Sequence, residues 1–135
     1  MTAITTLMLV TDVGFVAYWA ATALELIPPE FAYSDYHDAR VVAWNWSFLP
    51  LDLLISVTGI AAVAILGRRP LLGRPLMTIS LALTHASGLL AISYWAVRGE
   101  FQPEWWVPNL FLLVYPIPAL VRLLRHEPRT VVQAR

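Results

Sequence analysis

The chain has 135 residues, 59% of them hydrophobic and 13% charged, with a mean hydropathy of +0.65, far from the roughly half-apolar, quarter-charged make-up of a soluble domain. Nine Arg balance nine acids and there is no Cys or Lys, which excludes a nucleic-acid footprint, disulfides, thiolate metal sites and Schiff-base chemistry. A membrane span needs about 20 apolar residues, so the composition predicts an all-α integral membrane four-helix bundle, one transmembrane domain over residues 1–135.

The first apolar run covers about 6–27. No Lys or Arg precedes it and Asp12 interrupts it, so it reads as a retained span rather than a cleaved signal peptide. Thr11, Gly14, Tyr18, Ala21 and Glu25 fall at i, i+3, i+7, i+10 and i+14, which predicts one polar or small face. Pro28-Pro29 and a polar stretch to Arg40 then break the chain. The second run, 44–66, sets Asn45, Asp52, Ser56 and Gly59 at spacings of seven, four and three, again one helical face. After Gly67-Arg68-Arg69-Pro70 and Gly73-Arg74, the third run, 75–97, answers with Thr84, His85, Ser87, Gly88, Ala91 and Tyr94. After Arg98-Gly99-Glu100, the fourth run, 107–124, carries Asn109 and Tyr115. Pro116 and Pro118 predict a kink at its middle, with carbonyls near Leu112 and Val114 left free.

Arg68, Arg69, Arg74, Arg122, Arg125, Arg129 and Arg135 fall at one set of span ends, seven of the nine basic residues. Short Arg-rich loops stay cytoplasmic, so both termini are expected inside. The opposite end holds Glu30, Asp35, Asp38, Glu100 and Glu104 against Arg40 and Arg98. Trp44, Trp46, Trp95, Trp105 and Trp106 cluster at that outer end, as an interfacial aromatic belt does.

Ionisable residues within spans carry the most information, because a charge near the bilayer centre costs at least about 2.5–3.5 kcal/mol. Asp52 and His85 each lie about ten residues into their spans, near the midplane at about 1.5 Å per residue. Asp52 is expected to face the bundle interior; His85 reads either as a simple interhelical hydrogen-bonder or as a neighbour of Asp52 able to share its proton; Asp12 and Glu25 complete the set of candidate catalytic groups. Asn45, Trp46, Ser56, Tyr94, Trp95, Asn109 and Tyr115 are the candidate ligand-binding residues. Ser56, Gly59, Thr84, Ser87 and Gly88 read equally as packing surface, since small residues let spans approach and hydroxyls bond across them. His37, His85 and His126 show no His-x-x-x-His or Glu-x-x-His spacing, so no metal and no cofactor is expected.

The run Trp44-Asn45-Trp46-Ser47-Phe48-Leu49-Pro50-Leu51-Asp52 is the most distinctive segment. With Thr11-Asp12-Val13-Gly14-Phe15, Tyr18-Trp19, Ser87-Gly88-Leu89, Tyr94-Trp95, Trp105-Trp106, Pro108-Asn109-Leu110 and Tyr115-Pro116, it resembles the YvaD-like family of small bacterial four-span proteins of unknown function, from about Thr11 to Pro116. The resemblance implies a multi-pass protein of the bacterial plasma (inner) membrane and carries over no catalytic assignment. From residue types alone, the expected function is binding of a small lipophilic molecule in an intramembrane polar and aromatic cavity. Carboxyls and tryptophans also match, by analogy, the proton-transfer chemistry of membrane isomerases and cyclases. The alternatives are a non-catalytic subunit or assembly factor that binds partner helices, and a small oligomeric transporter. Membrane lipid is the expected partner, with a homo-oligomer or a membrane partner protein left open, and no nucleic acid.

Overall fold

The computed structural model describes residues 3–28 and 31–125; Glu30, His126, Arg129 and Arg135 lie outside them. Among the described residues every regular element is helical: α1 (Ala3–Ala23), α2 (Ala39–Trp46), α3 (Leu49–Leu66), α4 (Pro70–Arg98), α5 (Pro103–Val114) and α6 (Pro116–Arg125). They form four stretches long and apolar enough to cross a membrane, Ala3–Ala23, Ala39–Leu66, Pro70–Arg98 and Pro103–Arg125. The chain is an all-α, multi-pass membrane protein.

Proline sets the breaks within spans. Pro50 has no N–H for the Trp46 carbonyl and clashes with it, so α2 ends at Trp46 and α3 resumes at Leu49 with the proline in its first turn. The same chemistry at Pro116 separates α5 from α6 at Tyr115, where the kink was expected.

Several span ends differ from the runs read in the sequence, the second and fourth spans starting at Ala39 and Pro103 rather than at 44 and 107. α1 stops at Ala23, four residues before the apolar run does, because Glu25 adopts a left-handed backbone with φ 55. Its N–H donates to Thr22 O and the next one, of Leu26, donates to Ala21 O, the paired bonds of a Schellman closure. α4 closes identically at Gly99, φ 71, with Gly99 N–H to Ala96 O and Glu100 N–H to Trp95 O. At its other end α4 begins at Pro70 rather than near 75, since proline at the first helical position loses no needed donor.

α1 packs chiefly on α3, α3 on α4, and α4 on both α5 and α6. At the arginine-bearing end Met8, Ala62, Met77, Leu81 and Ala119 form a closed apolar cluster. Val10, Val13, Val57, Leu90 and Val97 point outward and stay exposed, which suits helices solvated by lipid, where close packing rather than burial from water holds the bundle together.

At the acidic end tryptophans gather into one cluster. Tyr33, Val41 and Trp95 are buried among Trp44, Tyr94, Trp105 and Trp106, Trp95 is only 2% exposed, and Trp44 stacks on Tyr94 with ring centroids 3.9 Å apart. Aromatic rings gain more from offset and edge contacts with one another than from lone exposure, and the segment 31–38 is folded onto them. Arg98 pins that segment, pairing with Asp35 and Glu100. Burial pushes the Tyr33 phenol up to about 12, and hydrogen bonding from Ser34 and Arg98 holds Glu100 below the usual glutamate range.

Candidate functional site

Between α1 and α5, at the acidic end, the bundle leaves a cavity of about 300 Å³. α1 contributes Phe15, Tyr18 and Trp19; the α2–α3 segment contributes Trp44, Asn45, Phe48 and Asp52. α4 supplies Ser87 and Ala91, and α5 closes the ring with Trp105, Pro108, Asn109 and Leu112. Phe31 and Glu104 stand at the rim.

Asp52, halfway along the span Ala39–Leu66, is 4% exposed. The Trp19 Nε1–H donates to its Oδ2 at 2.9 Å and the Ser87 hydroxyl to its Oδ1 at 3.0 Å. Each carboxyl oxygen therefore has one donor from a different helix, which fixes its orientation and leaves lone pairs toward the cavity. Among the described residues no Arg or His lines the cavity.

Asn45 is 3% exposed, and its Oδ1 accepts a hydrogen bond from Tyr18 at 3.1 Å. Its Nδ2 is buried without a partner. A buried amide end left unpaired costs about 1–3 kcal/mol. Asn109, also on the wall, spends its Nδ2 on the carbonyl of Trp105 at 2.8 Å.

His85 is an interhelical hydrogen-bonder rather than a partner of Asp52. Its Nδ1 lies 2.7 Å from the carbonyl of Leu113, between Leu112 and Val114, the two carbonyls whose i+4 donors are replaced by Pro116 and Pro118. The histidine ties α4 to α5. Glu25 is exposed in the Schellman turn, past the end of α1; it does not line this cavity but a smaller pocket beside it, with Thr22, Tyr33 and Tyr36.

Asp12 is 1% exposed and lies away from the cavity. Its carboxyl occupies the notch left by Gly59: a Cβ added there would sit 2.1 Å from Oδ2 and 2.7 Å from the Ser80 hydroxyl. Ser56 lies between the two acids, its hydroxyl donating to the backbone carbonyls of Asp12 at 3.0 Å and Asp52 at 2.9 Å. Ser56 therefore joins α1 to α3 rather than lining the cavity. Tyr115 stands at the α5–α6 break, stacked on Phe111 and beside Thr11 and Thr84. Trp46 is 39% exposed and packs against Trp19 from outside. Tyr94 and Trp95 belong to the aromatic cluster, and Tyr94 faces a separate groove beside Arg98.

Trp19, Phe15 and Trp105 were missed as wall residues, and Ser87 was read as packing. A signal existed for α1: of its six buried residues, Thr5, Met8, Asp12, Phe15 and Trp19 repeat at three and four, the seam spacing of packed helices, and Thr11 of the expected face is the sixth. The face anchored on Gly14 is rotated from it, and Gly14 is exposed with open space around it.

Among the described residues no group of three His, Cys, Asp or Glu is placed to hold a metal ion. No solved structure matches the chain. It is 41% identical to the uncharacterized protein YvaD of Bacillus subtilis (strain 168) over 122 residues, 90% of this chain and 92% of that protein. Residues 4–130 match the family of unknown function DUF5360, and with the four helices and the sequence likeness running through nearly the whole of both proteins, the chain belongs to that family.

Proposed function

We propose that the protein binds a small lipophilic molecule in the cavity between α1 and α5, with Asp52 and Asn45 as its polar anchors. The observation that carries the reading is a cavity of about 300 Å³ whose walls are aromatic and whose buried polar groups include an unpaired amide. Pockets that take small ligands are mostly apolar with a few convergent polar groups. The cavity is blind. Below Asp52 the helices are tied by Ser56 to Asp12 O and Ser80 to Ile55 O, and then by the apolar cluster around Met8 and Leu81. That favours binding over permeation through the bundle.

The Arg distribution supports an orientation with the cavity mouth on the outer face of a bacterial plasma membrane and both termini inside. Impermeant labelling of cysteines placed at 35 and 102 tests it, and labelling from the cytoplasmic side alone would reverse it.

The binding reading is tested by native mass spectrometry of the purified protein. Wild type retains a lipophilic adduct released on unfolding, while Ala91→Trp, which fills the cavity, loses it without loss of helicity or monodispersity. An adduct of equal occupancy in Ala91→Trp places the molecule elsewhere and refutes the reading. Asp52→Asn and Asp52→Leu separate a site from a scaffold: failure of both to assemble means that Asp52 serves the fold.

A further inference from the structure

We propose that the cavity selects lipophilic cations, an ammonium head on a compact apolar body, rather than neutral or anionic lipophiles; the inference rests on the binding reading above and names its ligand class.

The first argument is charge. The ionisable carboxyls on the cavity are Asp52 at the floor and Glu104 at the rim, and among the described residues no basic side chain lines it. An anion entering would face two carboxyls with no counter-charge. A cation would neutralise Asp52, and the desolvation each charge suffers in the membrane is offset only by such a partner.

The second argument is geometry. Trp19 and Ser87 occupy one site on each Asp52 oxygen and hold the carboxyl still, so an ammonium N–H meets a lone pair already oriented. Tyr18, Trp44, Phe48 and Trp105 line the same space, and aromatic rings attract ammonium and quaternary ammonium heads that reach their faces.

The third argument is the approach to the site. Exposed Glu104 at the mouth adds long-range attraction of the same sign.

The test uses three probes of matched chain length, decyltrimethylammonium, decanol and decanoate, titrated against the intact protein in nanodiscs. Quenching of tryptophan fluorescence is read as the saturable difference from the Ala91→Trp variant. The expected result is saturable binding of the ammonium, weaker binding of the alcohol by at least about tenfold, and none of the carboxylate. Asp52→Asn brings the ammonium down to the level of the alcohol. Glu104→Gln, exposed and away from packing, weakens the ammonium alone by a few-fold and serves if Asp52→Asn does not fold. Alcohol or carboxylate binding as tightly as the ammonium, still lost in Ala91→Trp, overturns cation selection and leaves the cavity reading standing. Saturable binding of no probe, together with an empty wild-type protein by native mass spectrometry, overturns both.

Discussion

Gly88 is the tightest test of how the bundle is assembled. A Cβ at this position in α4 would lie 2.6 Å from Leu113 N, 2.8 Å from Asn109 O and 2.9 Å from the Leu112 carbonyl carbon. All three atoms are α5 backbone, so no rotamer change relieves the contact. Reaching the 3.4 Å of ordinary contact requires α4 and α5 to part by about 0.8 Å. The His85 to Leu113 O bond, 2.7 Å long, then stretches to about 3.5 Å, the edge of a hydrogen bond. Overpacking costs about 1–3 kcal/mol, and the stretched bond adds a share of the about 0.6 kcal/mol typical of interhelical bonds in membranes. Gly88→Ala should therefore lose about 1.5–3 kcal/mol, and Gly88→Val more. Reversible unfolding in mixed micelles measures the loss. Paired with His85→Ala the two effects should be less than additive, because they share one interface. A Gly88→Ala protein as stable as wild type would show that α4 and α5 do not approach as described, and with them the Ser87 and Asn109 walls of the cavity would be misplaced.

Trp19→Phe keeps a six-membered aromatic ring but removes the pyrrole half with the N–H that Asp52 accepts; stability should fall by about 1–3 kcal/mol from the lost bond and the lost packing and decyltrimethylammonium affinity with it, read in the same nanodisc titration, and unchanged values in both would remove Trp19 from the site. Glu25→Gly relieves the left-handed strain at the end of α1 and, after the greater freedom of glycine in the unfolded chain, should be neutral or stabilising by up to about 1 kcal/mol; a loss of ligand binding there would return Glu25 to the site. The folded pKa of Tyr33 lies above its ordinary value of 10, at about 12, so the stability that its neutral form contributes is fully present below pH 10 and is lost as pH rises through 12. Phenolate absorbance minus that of Tyr33→Phe should report the late titration, and a midpoint at the ordinary value would mean that the aromatic cluster is open to water.

The sequence is informative where a residue type is incompatible with lipid or with helix. Asn45, Asp52, Ser56 and Gly59 share a face and all four are buried, because exposing an amide or a carboxyl to hydrocarbon is too costly to leave the orientation of α3 open. Pro116 marks the helix break, since the missing N–H is local chemistry. Pro50 carries the same signal and accounts for the break before α3, which the apolar run across Trp44 to Leu66 conceals.

α1 shows where that legibility ends. Its polar residues are spread around the helix, Thr11 and Asp12 on the buried side and Thr6 and Glu25 outside it, and lipid accepts a valine as readily as a neighbouring helix does, so the polar pattern does not single out the packed side. The buried side is decided by contacts with α3: Asp12 entering the notch at Gly59 and Ser56 reaching the Asp12 carbonyl. Composition, span number and the burial of Asp52 were thus determined by the sequence, through transfer energies that each residue carries with it. The pairing of Asp52 with Trp19 and Ser87, the diversion of His85 to Leu113, the gathering of tryptophans into a cluster and the open gap between α1 and α5 were decided only by the tertiary structure, because each depends on the rotation and close approach of helices far apart in the chain.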